Sequence, residues 1–170
     1  MCRSLSPTVI RFEVSCMAKG KQTHSADGDG IPFFLRRRRT AKTKQTHSSD
    51  RLPPAVGPYS QAVAYGDLLF CSGIIPMDPQ TKEIVADDIE TQTRRVLDNL
   101  SALLEDLGTS LDNVLKTTVF LKEIADFAAF NAVYETYFRA DPPARSTVEV
   151  ACLPLDVRIE VEAIVAIPEE

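Results

Sequence analysis

The chain is 170 residues long, 44% hydrophobic and −5 in formal net charge, which fits one domain of ordinary size with an attached segment. No apolar run approaches the roughly 20 residues that a membrane-spanning helix needs. The charge is divided: residues 1–51 hold 11 Lys/Arg and 4 Asp/Glu (+7), and residues 52–170 hold 8 and 20 (−12). A basic appendage therefore precedes an acidic domain whose own charge disfavours binding to a phosphate backbone.

Residues 1–51 show no sustained periodicity and contain SADGDG and RRRRTAKTK, so they read as an extension without fixed structure. Their richness in Arg and poverty in acids also fit an organellar targeting peptide, and Arg36–Arg39 fit a nuclear or nucleic-acid-binding patch. The three readings stay open. Location follows the same division: cytoplasmic for the domain, mitochondrial or otherwise organellar if the extension is a targeting signal. Both histidines, His24 and His47, fall in the extension, which leaves residues 52–170 without the usual base of hydrolytic triads or the commonest zinc ligand. Cys71 and Cys152 stand in apolar, strand-like stretches and read as reduced core residues, and no paired cysteine spacing points to a metal.

From Leu52 the texture changes. GPYSQAVAYGDLLFCSG reads as two short strands joined by a tight turn at Gly66-Asp67. IIPMDPQTKEIVA is a Pro-punctuated loop with a brief strand at Glu83–Val85. A helix follows, with Asp87 and Glu90 as a capping box, apolar residues every three or four positions from Ile89 to Leu107, and Gly108 closing it. VLKTTVFL, Val114 to Leu121, is β-branched and aromatic and predicts a strand. A second helix is expected behind Asp126, with Phe127, Phe130, Tyr134 and Tyr137 on one stripe and Pro142-Pro143 ending it. Strands over Arg145–Ala151 and Arg158–Ile167 complete the order β-β-(β)-α-β-α-β-β. This predicts an α+β sandwich of two layers, with both helices on one face of a mixed six-stranded sheet. No helix is left for the other face, where the last strand carries Arg158, Glu160 and Glu162 and then Ile164 and Ala166. A half-apolar bare face predicts burial against another subunit.

Chemistry in residues 52–170 has to come from carboxylates, Arg, Lys, Tyr, hydroxyls and backbone amides. Arg145 opens a strand straight after Pro142-Pro143-Ala144; it is either a solvated edge charge or a fixed fork for a carboxylate. Glu160 starts the next strand. If those two strands paired antiparallel through their loop, their starts would lie at opposite ends, so Arg145 and Glu160 need not meet within one chain and could meet across a subunit boundary or by an offset. Glu160 and Glu162 also read as a solvated strand face. Gly73 in CSGIIP permits a bend, or the close approach of a ligand oxygen to a backbone N–H. Asn131 reads more readily as a solvated polar residue, and Tyr59, after Gly57-Pro58, as plain packing. On their own these residues are compatible with a small carboxylate site and do not require one.

Taken together, GPYSQAV, CSGIIP, LDNLSALLEDLG, KTTVFL, FNAVYETYF, PPARSTVEVACLP and IEVEAIV resemble the RidA family (YjgF/UK114), the reactive-intermediate deaminases, over about residues 52–168. The resemblance implies a chorismate-mutase-like α+β fold and a homotrimer with sites in clefts between subunits. It implies hydrolysis of 2-imino acids, such as 2-iminobutanoate and 2-iminopropanoate, to 2-keto acids and ammonia without cofactor or metal. By the same resemblance Arg145 would hold the substrate carboxylate and Glu160 would orient the attacking water. Gly73, Ser72 and Thr147 would supply polar or backbone contacts, and Tyr59 and Asn131 would line the cleft. Three positions depart from the family's usual pattern: Ile74 stands for glutamine, Thr147 for a frequent cysteine, and Lys82 for a turn glycine. Some members are described as ribonuclease-type translation inhibitors and others as chaperone-like, which is the alternative reading.

Overall fold

The computed structural model of the chain describes residues 42–168. The basic run Arg36–Arg39, His24 and the targeting reading of the extension lie outside the described residues. The strands are β1 (Lys44–His47), β2 (Ala62–Tyr65), β3 (Leu68–Ile74), β4 (Val114–Leu121), β5 (Ala144–Glu149) and β6 (Ile159–Ala166), and the helices are α1 (Ile89–Asp106) and α2 (Phe127–Tyr137). The strands form one sheet in the order β1-β2-β3-β6-β4-β5. The β4–β5 pair is parallel and every other pair antiparallel. This is the expected mixed six-stranded sheet of a two-layer α+β sandwich, with one strand exchanged. Glu83–Val85 contributes only a single bridge, Met77 to Ile84, because the loop turns back on itself through Lys82 in a left-handed conformation (φ 60).

The sixth strand is β1, which falls inside the segment assigned to the extension. It pairs with β2 from Lys44↔Tyr65 to His47↔Ala62. The next residues are tied down as well: the Ser49 N–H donates to Gln61 Oε1 at 2.6 Å, the Ser49 hydroxyl to Asp106, and the Arg51 guanidinium to Glu105 at 2.9 Å. The folded unit therefore starts before Leu52. The sequence hides this because Lys44-Gln45-Thr46-His47 is polar throughout, and an edge strand exposed on three of its four residues needs no apolar alternation. A histidine thus belongs to the sheet after all, on its edge.

Turn and cap chemistry positions the remaining elements. Gly66 (φ 68) makes the β2–β3 turn, a conformation that costs glycine nothing. The cap of α1 is Asp88, whose carboxylate accepts the Thr91 N–H at 2.7 Å; Asp87, expected in that role, instead pairs with Arg158 at 2.7 Å. The inner stripe of α1 buries Val96, Leu97, Leu100, Leu103 and Leu104 completely. Two buried polar residues on α1 tie down neighbouring chain: Gln92 Oε1 accepts the Arg158 N–H at 2.8 Å, and the Asn99 amide donates to Met77 O at 2.9 Å.

The helices share one face of the sheet with the buried residues of β4 and β6, namely Thr117, Val119, Leu121, Ile159, Val161, Ala163 and Val165. Alternation leaves the other face to Phe70, Lys116, Thr118, Phe120, Val148, Glu160, Glu162 and Ile164, of which Phe70, Val148 and Glu162 are exposed. Cys71 is buried as expected. Cys152 is exposed instead, because β5 ends at Glu149 and the chain has left the sheet by residue 152.

Candidate functional site

The β4–β5 register decides where Arg145 points. Arg145 lies opposite Thr117 and Thr147 opposite Val119, so both side chains take the helix face, beneath α2. There the guanidinium carbon sits 4.6 Å from the Tyr134 ring centroid, 5.2 Å from Phe130 and 5.7 Å from Phe127. Nη2 donates to Asn131 Oδ1 at 2.8 Å. Tyr134 is fixed in turn by a 2.8 Å hydrogen bond with the Thr117 hydroxyl. Cation–π contacts of this kind contribute about 0.5–2 kcal/mol, more as water is excluded.

Among the described residues Arg145 has no carboxylate partner, whereas Arg95 has one and Arg51 and Arg158 have two each. A half-buried guanidinium held by one neutral amide and three ring faces keeps most of its five donors for something else. Beside it, the Thr147 hydroxyl is buried without a hydrogen-bond partner. Buried polar groups are rarely left so. Arg145 and Thr147 thus leave hydrogen-bonding capacity unused on one face of the sheet, chemistry that suits a planar anion.

Glu160 lies opposite Phe120 on β4 and takes the other face. Its carboxylate rests over Gly73, where a methyl group would overlap it. This is the close approach that glycine allows, in the stretch where the β3–β6 register shifts between Cys71 and Ile74. Burial, and then the nearby negative charge of Glu162, raise the Glu160 pKa above the usual carboxylate value. The carboxylate has no ion-pair partner among the described residues. It stands at one end of an open cleft of about 500 Å³ with Tyr59, Ser72 and Gly73. Val56, Ile75, Met77, Pro154 and Leu155 supply the apolar walls. The Ser72 hydroxyl donates to Ser60 O at 2.7 Å, which leaves it free only to accept. Ile74 belongs to the core cluster and does not line this cleft, but it lines the adjoining pocket that shares Tyr59, Ser72 and Gly73 with it. Its replacement of glutamine therefore makes that adjoining pocket more apolar.

The expected residues thus form two sets on opposite faces of one sheet: Arg145, Asn131 and Thr147 on one, and Glu160, Gly73, Ser72 and Tyr59 on the other. They do not converge within a chain. Sequence reasoning missed the ring cage, since Phe127, Phe130 and Tyr134 read as core stripe; the signal was their helical spacing around Asn131. It also missed Leu155, for which no sequence pattern is diagnostic. Among the described residues, no group of three or more His, Cys, Asp or Glu side chains could hold a metal ion, and no helix is long and apolar enough to cross a membrane.

Comparison with known proteins agrees with this architecture. Residues 49–167 match the family described as Endoribonuclease L-PSP. A RutC family protein of Pyrococcus horikoshii is 52% identical over 121 residues, covering 71% of this chain and 96% of its own. The chloroplastic Reactive Intermediate Deaminase A of Arabidopsis thaliana is 43% identical over 121 residues, covering 71% of this chain and 65% of the plant protein. The crystal structure of E. coli TdcF with bound serine superposes with a TM-score of 0.69 at 43% identity, covering 72% of this chain and 98% of that one. With the family description matched across nearly all of the described residues and close relatives covered almost end to end, the chain belongs to the YjgF/RidA family.

Proposed function

We propose that this protein is a hydrolytic deaminase that converts 2-imino acids, 2-iminobutanoate and 2-iminopropanoate among them, to 2-keto acids and ammonia, using sites shared between the subunits of a homotrimer. The observation that carries the reading is the unpaired, ring-backed fork of Arg145 beside the unsatisfied Thr147 hydroxyl. A small planar carboxylate fits that fork bidentately. The name of the Arabidopsis relative and the serine bound to TdcF, itself a small amino acid with a carboxylate, support the same class of ligand. The homotrimer is supported by the exposed Phe70 and Val148 on the bare sheet face. It is supported too by the division of the site, because facing one subunit's Arg145 with a neighbour's Glu160 needs a second copy.

In this mechanism Arg145 fixes the carboxylate and thereby the adjacent C2 carbon. Glu160, acting as the carboxylate, orients a water and accepts its proton as the oxygen adds to C2 of the iminium. The proton passes to the nitrogen, the C–N bond of the carbinolamine breaks, and iminium plus water becomes 2-keto acid plus ammonium. An iminium is already electrophilic, so orientation and one general base supply most of what is needed. The test is 2-keto acid release from an imine generated in situ by a pyridoxal-phosphate threonine dehydratase, scored against spontaneous hydrolysis. A rate equal to background would overturn the reading. The family description favours an alternative, RNA cleavage; the −12 charge of residues 52–170 weighs against it, and RNA degradation by an imine-inactive protein would establish it.

A further inference from the structure

The turn between β5 and β6 holds two consecutive residues in the left-handed region, Leu155 (φ 54) and Asp156 (φ 57). For Asp156 the conformation is ordinary, since Asp tolerates it, and the carboxylate is paired with Lys122 at 2.8 Å. Leu155 has no such account. A γ-branched side chain is disfavoured there, glycine or asparagine would make the same turn without strain, and the leucine is 66% exposed. Strain of this kind concentrates at ligand-handling sites. Leu155 lies on the wall of the cleft that ends in Glu160 and Gly73.

We propose that Leu155 is a specificity-determining residue. With Val56, Ile75 and Met77 it forms the wall that receives the substrate's side chain, and it selects 2-imino acids whose side chains are apolar and longer than a methyl group. The inference rests on the imine-hydrolysis reading of the same cleft. The reacting carbon bears three substituents: the carboxylate goes to Arg145, the nitrogen leaves, and the third must lie along the remaining lining. That lining is apolar. Each methylene moved from water to such a wall favours the longer substrate about fourfold.

The experiment compares kcat/KM for imines generated in situ by an amino-acid oxidase from alanine and from norvaline, using the full chain and the variants Leu155→Gly and Leu155→Met. The norvaline-derived imine carries two more methylenes, so the parent protein is expected to favour it roughly tenfold or more. Leu155→Gly should cut that ratio at least about fourfold without lowering Tm, since glycine accepts the positive φ. Leu155→Met should largely keep the ratio. A ratio unchanged in Leu155→Gly, or a parallel fall for both imines, overturns the role of Leu155 while leaving the deaminase reading standing. Failure of the parent protein on both imines overturns the two together.

Discussion

Removing the Arg145 fork tests the anion receptor directly. A charge-assisted hydrogen bond contributes about 1.5–3 kcal/mol. The rings at 4.6–5.7 Å and the Asn131 amide hold the guanidinium before substrate arrives, so little side-chain entropy is lost on binding. Arg145→Lys keeps the charge and loses both the planar fork and the guanidinium's contact with the Tyr134 ring. It should lower kcat/KM by about 10- to 150-fold, the rate equivalent of one such bond. Arg145→Ala also leaves the substrate carboxylate without a cation, and the loss should exceed that of lysine by at least another factor of about ten. Neither change breaks an ion pair, since among the described residues Arg145 has none, so folding and assembly should persist. The assay is 2-keto acid release from the dehydratase-generated imine, with sedimentation confirming the assembly. An Arg145→Ala protein that stays assembled and works at the parent rate would refute the receptor and leave Arg145 as an edge charge.

Glu160→Gln should lower kcat by at least about a hundredfold while raising Tm. Because the folded state raises this pKa, the folded protein binds the proton more tightly than the unfolded chain; the stability present below the unfolded pKa is lost as pH rises through the folded one, and the penalty persists at neutral pH. Solvent screening at this half-buried position keeps the gain in Tm small. In the parent protein kcat/KM should fall on acidification at a pH above the usual carboxylate range, and Glu162→Gln should move that fall to lower pH by removing the neighbouring charge. Gly73→Ala should displace the Glu160 carboxylate and reduce activity at least about tenfold, with a smaller change in the affinity for a carboxylate product analogue; parent activity would show that Glu160 does not work from above Gly73. A chain starting at Leu52 loses β1 and the Ser49 bonds to Gln61 and Asp106 and should melt several degrees lower than one starting at Lys42; equal Tm for the two would show that β1 adds nothing.

Periodicity made most of this fold legible. The 3.6-residue stripe of α1 and the strict alternation of β6 each expose a buried face large enough to be read without context. The polar strand β1 was not legible, because an edge strand takes its stability from backbone hydrogen bonds that any sequence can make. The exchange between Asp87 and Asp88 at the α1 cap turned on Arg158, 71 residues along the chain from Asp87, and local capping rules carry no such term. The candidate site residues came from the family pattern. Their division between faces did not, because it depends on β5 pairing in parallel with β4 after an α2 crossover rather than antiparallel with β6. The ring cage shows the limit of single-element reading: an aromatic stripe and a strand arginine become one unit only when the helix is laid on that strand.

The two-faced placement of Arg145 and Glu160 has a genetic consequence. In the proposed trimer each site takes its arginine from one subunit and its carboxylate from another, so an allele lacking only Arg145 and an allele lacking only Glu160 damage different halves of the same site. Expressed together, they would assemble mixed trimers in which random pairing joins an intact arginine to an intact carboxylate at roughly one site in four. Two separately inactive alleles would thus restore each other in a heterozygote. Two alleles that both lack Glu160, or both lack Arg145, would not.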